Sequence, residues 1–299
     1  MPTTAPRVTV GLAVYNGAST LRCCLDAVYS QTYRDFDVLV IDDGSTDESA
    51  AIARAYGCRV ISVPNSGLGA ARKRLVEEAR GDLIAFVDHD DFWLPEKLSL
   101  QVRLMDETGA ALVHADGWYV YEDGSEVPRD LHFSDRVDPF DHILPSNLVI
   151  ASTALFDRRA MLAAGNFVGE TVRCSDWYGW LILAPGRRFA HLPQKLVRYS
   201  VLCTSLANAG FRFHAAQHDL LTRHILPRED ALFSGLPPAK RFRYHRMLVR
   251  DVGVALSSMA KHKRAAGDKR EARQLALRAI RSSPDVGRVW ARLARMLLP

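Results

Sequence analysis

Cysteine is scarce in this chain and cannot pair off. There are five, Cys23, Cys24, Cys58, Cys174 and Cys203. The number is odd, no C-x-x-C occurs and no spacing suits zinc, so a disulfide scaffold and a structural zinc are excluded and reduced thiols are expected. No apolar run approaches the roughly 20 residues that cross a bilayer. Met1 to Arg7 has no basic segment leading into a long apolar stretch, so no signal peptide is expected and the location read from the sequence is cytoplasmic. No G-x-G-x-x-G follows the first apolar run, against a dinucleotide-dependent dehydrogenase. Acidic residues are short in one region only. Leu236 to Pro299 holds 16 Lys+Arg against 4 Asp+Glu, and the residues before it 23 against 30. Aromatic residues do not interleave this basic tail, so no nucleic-acid partner is expected.

The rest is an ordinary globular composition: 299 residues, 48% hydrophobic and 24% charged, enough for one large domain and an appendage. Val8 to Val14 is an apolar run ending in the turn Tyr15-Asn16-Gly17, and a helix follows through Leu21, Leu25 and Val28. Phe36 to Ile41 reads as a buried strand ending at Asp42-Asp43-Gly44. Ser45-Thr46-Asp47-Glu48 has capping-box spacing and predicts a helix start there, closed by Gly57. Arg59 to Val63 and Leu83 to Val87 are further strands, with a helix to Ala79 between them. Pro95 opens a helix carrying Leu98, Val102 and Met105 on one face. Beyond Ala110 the pattern predicts a strand to Tyr121, a loop over Asp130 to Ser146 and a strand over Ile150 to Phe156. Helices are predicted over Ala207 to Pro227 and Ala239 to Leu298, interrupted at Gly267 and Pro284.

Strand and helix alternating through short loops predict an α/β fold with a mainly parallel central sheet, flanked by helices and followed by a helical C-terminal extension. Ligands of such sheets bind beyond the carboxyl ends of the strands. Asp42-Asp43 and Asp88-His89-Asp90-Asp91 both fall on that rim. A core has no use for so much unpaired charge. Magnesium and manganese take one or two carboxylates and complete their shells with phosphate oxygens and water. The pattern therefore suggests an enzyme that handles a nucleoside diphosphate through a divalent metal.

Four segments, VGLAVYNG, LDAVYSQTYRDFDVLVIDDGSTDES, NSGLGAARKRLVEEARGDLIAFVDHDDFWLPEKL and SDWYGW, occur in an order and spacing that resembles family 2 glycosyltransferases over about residues 7–205. The resemblance implies a GT-A fold over residues 1–235, with 236–299 as the basic helical extension. It implies inverting transfer of a sugar from a nucleotide-diphosphate donor, UDP- or dTDP-linked in preference to GDP-linked, with Mn2+ or Mg2+. The acceptor would be a hydroxyl of a glycan or lipid-linked glycan in surface polysaccharide or glycolipid synthesis.

The resemblance places Asp90 on the metal, Asp88 beside the ribose and the metal, and Asp91 at a helix cap or behind the metal. It places Asp42 and Asp43 at the base, without saying which reads it, and Ala13, Val14 and Tyr15 along the base's edge. Arg72 would reach the donor's phosphate or base, with Lys73 where Asn is usual. Asp176 would be the catalytic base; Ser175 stands where the family usually has Glu, and Glu170 is the alternative base. Trp93 and Trp177 are possible acceptor contacts, Trp180 a packing residue, and His89 not a ligand. The histidine usual near Arg198 to Leu202 is absent.

Two rival readings stay open: a catalytically inactive sugar-nucleotide-binding scaffold, and a nucleotidyltransferase, whose glycine-rich phosphate loop VGLAVYNGAS does not supply. In the tail, Ala272, Leu275, Ala276, Ala279 and Ile280 oppose Arg270, Arg273, Arg278 and Arg281. Beyond Pro284, Trp290 lies among Arg288, Arg292 and Arg295. The two segments are similar to one tetratricopeptide unit, which cannot bury its own face. An anionic membrane surface at the inner leaflet is the candidate partner, and docking on the acidic body the alternative.

Overall fold

A computed structural model of the chain describes residues 5–131, 133, 137–169, 174–201 and 211–282. Glu170, Cys203 and the segment with Trp290 lie outside them. The chain forms two compact units, Met1–Leu202 and Cys203–Pro299.

The first unit is built on β1 (Val8–Val14), α1 (Ala18–Tyr29), β2 (Phe36–Asp42), α2 (Ser49–Ala55), β3 (Arg59–Ser62), α3 (Leu68–Glu78) and β4 (Leu83–Phe86). It continues through β5 (Phe92–Trp93), α4 (Lys97–Thr108), β6 (Leu112–Tyr121), β7 (Glu126–Arg129), α5 (Pro139–Ile143), β8 (Ala154–Asp157), α6 (Arg158–Ala163), α7 (Ser175–Leu183) and β9 (Phe189–Val201). Among the described residues the strands form one sheet in the order β3-β2-β1-β4-β8-β6-β9-β5, with β7 on β6. β3, β2, β1 and β4 run parallel. β8 then pairs antiparallel with both β4 and β6.

The parallel half has helices over both faces, so its strands are apolar without alternation. Val8, Val10, Leu12 and Val14 pack with Leu21, Cys24, Leu25 and Val28 of α1 in one core. Register fixes the rim: Val14 pairs with Asp42, and Gly11 with Phe86. The Asp42 and Asp88 clusters thus leave β2 and β4, the two strands that flank β1, on the same side.

Three expectations are corrected. α2 starts at Ser49 rather than Ser45, because Asp42 takes the Ser45 N–H and Asp47 takes that of Ser49. The segment read as a loop over Asp130 to Ser146 contains α5, whose Asp138 accepts from the Phe140 N–H beside a proline in the first turn. The strand expected from Ile150 starts at Ala154, after a 3-10 turn over Ala151–Thr153.

The second unit is helical: α8 (Phe211–Asp219), a π-helical turn (Leu220–Ile225), α9 (Glu229–Leu232), α10 (Pro238–Ala265) and α11 (Lys269–Ser282). It starts earlier than the expected boundary at 235/236 because α8 and the π turn pack against α10. Gly267, at φ 87°, separates α10 from α11 as its position suggested. α11 buries Ala272, Leu275, Ala276 and Ala279.

Candidate active site

The carboxyl ends of β1 and β2 carry the expected base-binding residues. Tyr15 is 51% exposed and Ala13 half-buried, whereas Asp42 and Asp43 are buried. Asp42 Oδ1 accepts the Ser45 N–H at 3.0 Å. Asp43 is more committed: Ser66 N–H and Oγ donate to its Oδ1 at 2.8 and 3.1 Å, and Gly67 N–H to its Oδ2 at 2.8 Å. The second aspartate therefore shapes the glycine-rich loop before α3, while Asp42 Oδ2 keeps a lone pair free of those ties.

The two loops of this rim are knotted together. Asn16, at φ 53°, donates its N–H to Ser45 Oγ and accepts the Thr46 N–H on Oδ1 at 2.8 Å. Gly17 and Ala18 N–H donate to Ser49 Oγ and Asp47 Oδ2, both at 2.9 Å.

The acidic cluster sits in the turn between β4 and β5. His89 turns back into the fold, its Nδ1 2.8 Å from Thr20 Oγ1 and its ring over Gly17, where a Cβ would lie 2.8 Å away. That leaves Asp88 and Asp90 half-buried. Asp88 meets Arg72 Nη2 at 3.1 and 3.3 Å. Among the described residues the Asp90 carboxylate accepts no hydrogen bond from another residue and forms no ion pair. Burial, then the charge of Asp88, raises its pKa above the usual carboxylate range. Asp91 is fully buried between Ser152 Oγ and the Ser200 N–H.

Arg72 is 4% exposed and is the hinge of the site. Its Nη1 donates to Ser175 Oγ at 3.0 Å and lies 3.8 Å from Asp176 Oδ1, while its guanidinium stands over the Phe86 ring. Burial pulls its pKa down, but Asp88 and Asp176 raise it further still, so the charge is held. The sequence placed this arginine on the donor; the structure engages it with two carboxylates and a hydroxyl. Asp176, in the first turn of α7, is 18% exposed and takes a hydrogen bond from Asn147 Nδ2 at 2.9 Å.

The two indoles offered as acceptor contacts are packing residues. Trp93 is 3% and Trp177 1% exposed, with their N–H groups on the Ser152 and Ile143 carbonyls. Neither presents a ring face to an acceptor. Asn147, Ser152 and Ser200 were missed, since nothing in their sequence spacing links them to the carboxylates they hold.

The arrangement sets a buried guanidinium between the Asp88 carboxylate, met by Nη2, and the Asp176 carboxylate, nearer Nη1, with Asp90 two residues from Asp88 in the same turn. Among the described residues no group of three or more His, Cys, Asp or Glu side chains forms a cage for a metal. A cation completed by phosphate oxygens needs none.

The family model for Glycosyl transferase family 2 matches residues 9–165. The chain belongs to glycosyl transferase family 2. Similar family members include the putative glycosyltransferase EpsH of Bacillus subtilis (strain 168), 34% identical over 46% of this chain and 42% of EpsH. The chain covers less than half the length of this and several other curated relatives. A family member matched almost end to end is the UDP-Glc:alpha-D-GlcNAc-diphosphoundecaprenol beta-1,3-glucosyltransferase WfaP of Escherichia coli. It is 25% identical over 89% of this chain and 99% of its own. Among solved structures, S. aureus TarS 1-349 superposes with a TM-score of 0.67 at 18% identity, covering 96% of this chain and 83% of that one. The first unit thus has the GT-A fold of this glycosyltransferase family, its sheet curling through the antiparallel pairs around β8.

Proposed function

We propose that this family 2 member is an inverting, metal-assisted glycosyltransferase that moves a sugar from a nucleoside-diphosphate donor to an acceptor hydroxyl in the synthesis of a surface polysaccharide or lipid-linked glycan. The observation that carries the reading is Arg72 bridging Asp88 and Asp176. It joins the donor-side carboxylates to the start of α7, and so puts a candidate base on the rim where the diphosphate would lie.

Asp90 and Asp88 fit a Mn2+ or Mg2+ ion: they are hard oxygen donors, and Asp90, without a hydrogen-bond or ion-pair partner among the described residues, has its pKa raised by burial and then by the charge of Asp88, which a cation would offset. Held by Asp88 and Asp90, such a cation would supply positive charge to offset the negative charge of the leaving diphosphate. The Asp42–Asp43 pair, with Ala13 and Tyr15, holds the base. Asp176 accepts the proton of the attacking hydroxyl, oriented for it by Asn147. Inversion requires that base on the face opposite the leaving group, the logic inverting glycosidases also follow.

TarS has been solved with UDP-GlcNAc and with UDP, and the mannosyltransferase PcManGT from Pyrobaculum calidifontis with GDP-Man and Mn2+. WfaP is named for a UDP donor and a diphosphoundecaprenol acceptor. These names support a UDP-linked donor, a metal and a lipid-linked acceptor here. No described helix is long and apolar enough to cross a membrane. Peripheral contact of the basic second unit with the inner leaflet would bring the enzyme to such an acceptor.

The test is a panel of UDP-, dTDP- and GDP-sugars with Mn2+, reading released nucleoside diphosphate with and without lipid-linked acceptors. Slow donor hydrolysis that accelerates with acceptor supports the transferase. Tight binding without turnover supports a scaffold, and release of pyrophosphate from a nucleoside triphosphate and a sugar phosphate supports a nucleotidyltransferase.

A further inference from the structure

Two side chains far apart in sequence converge on the backbone of the acidic turn. Ser152, in the 3-10 turn before β8, accepts the Asp88 N–H on Oγ at 3.0 Å and donates the same hydroxyl to Asp91 Oδ2. Ser200, near the end of β9, gives its N–H to Asp91 Oδ1 at 2.9 Å and its hydroxyl to the Asp90 carbonyl. The Asp91 carboxylate thus has both oxygens engaged and no exposed surface. It cannot serve as a cation ligand without breaking the clasp. Asp88 and Asp90, half-buried on either side of His89, are the residues the clasp holds by their main chains.

We infer that Asp91, Ser152 and Ser200 form a positioning clasp that sets the separation and aim of the Asp88 and Asp90 carboxylates towards a divalent cation and the diphosphate it carries. This rests on the metal-assisted reading above. The physical ground is that β4 ends at Phe86 and the turn that follows has a single main-chain bond of its own, Asp91 N–H to the Asp88 carbonyl at 3.0 Å. The remaining ties on its main chain come in large part from the turn before β8 and from β9. Partners behind a ligand orient it, and their loss typically weakens metal binding by about 10–100-fold. A hydroxyl behind each end of the turn performs that task here. Ser200 occupies the stretch where the histidine usual in the resembled family is absent. In this chain that strand would act on the cation through the Asp90 carbonyl rather than as a ligand.

The two serines make separable predictions. Ser200→Ala keeps the main-chain donor to Asp91 and removes only the tie on the Asp90 carbonyl. Ser152→Ala frees the Asp88 N–H and leaves Asp91 Oδ2 buried without its donor. Mn2+ binding to the full chain with UDP present is followed by isothermal calorimetry and by the Mn2+ EPR signal, with metal-free UDP binding and the melting temperature measured beside them. Both alanine variants are expected to weaken Mn2+ by about tenfold, to leave metal-free UDP binding within about twofold, and to shift the Mn2+ concentration for half-maximal turnover more than kcat at saturating metal. Ser152→Thr and Ser200→Thr should recover most of the loss.

Alanine variants that bind Mn2+ like the parent overturn the clasp and leave the transferase reading standing. Equal loss of metal-free UDP and Mn2+ binding also overturns it, because the serines would then only be keeping the fold. A parent chain that binds UDP but gains nothing from Mn2+ overturns the metal-assisted reading and the clasp's purpose together.

Discussion

Asp176 and Arg72 carry the most specific expectations at the scale of single residues. Asp176→Asn keeps the size of the side chain and an acceptor oxygen but cannot take a proton. Turnover should fall by about 10²–10⁴-fold, with UDP binding unchanged by calorimetry. Near-normal turnover would move the base elsewhere, to Glu170 first. Arg72→Lys is not a mild change, because a lysine's single nitrogen cannot replace both Nη2 on Asp88 and Nη1 on Ser175. We expect it to lower both turnover and melting temperature, since two half-buried carboxylates lose part of their counter-charge. Donor affinity alone would change if Arg72 were simply a phosphate ligand.

At the scale of elements, α7 shows how tightly the candidate base is mounted. A Cβ on Gly179 would lie 2.3 Å from the Phe167 ring, which packs with Phe86, Phe156 and Trp180. Gly179→Ala should therefore cost about 1–3 kcal/mol of stability, read as a lower urea midpoint. α4 predicts a pH effect. Lys97 is fully buried, its Nζ donating to Gln101 at 2.7 Å and lying 3.9 Å from the Trp93 ring centroid. Burial alone pushes its pKa well below the ordinary value of 10.5. Between the lowered folded value and 10.5 the unfolded chain binds more protons, so stability rises with pH across that window and is lost below it. Urea unfolding at stepped alkaline pH should show this rise, and Lys97→Met should flatten it.

The parallel strands were legible because each is an unbroken apolar run closed by a turn, and the acidic turn because carboxylates stood at the end of one of them. The antiparallel insertion of β8 was not legible, as it depends on pairing between β4, β8 and β6 across long separations. The indoles Trp93 and Trp177 were ambiguous for a different reason. An aromatic beside a motif reads the same whether it lines a site or fills the space beneath it, and here the buried N–H partners Ser152 and Ile143 decide.

For the whole molecule, the second unit adds a dense basic surface to an acidic body. α11 exposes Arg270, Arg273, Arg278 and Arg281 while burying its alanine and leucine stripe. If this face meets anionic lipid, the full chain should sediment with phosphatidylglycerol vesicles, less so with phosphatidylcholine vesicles or at raised salt. Reversing those four arginines to glutamate should abolish the difference; unchanged sedimentation would assign the charge to some other contact.

The Asn16 knot, which ties the rim's two loops across Ser45, Thr46, Asp47 and Ser49, has a thermodynamic corollary. The entropy of fixing that cradle is lost during folding, before any nucleotide arrives. Nucleoside recognition should then resemble a key entering a set lock: fast association, and a heat-capacity change no larger than the ligand's own contact area demands. Loosening the knot with Asn16→Ala, which removes the Oδ1 tie to Thr46 and leaves the main-chain ties, should slow capture and enlarge that heat-capacity change, even though the side chain is not expected to touch the base.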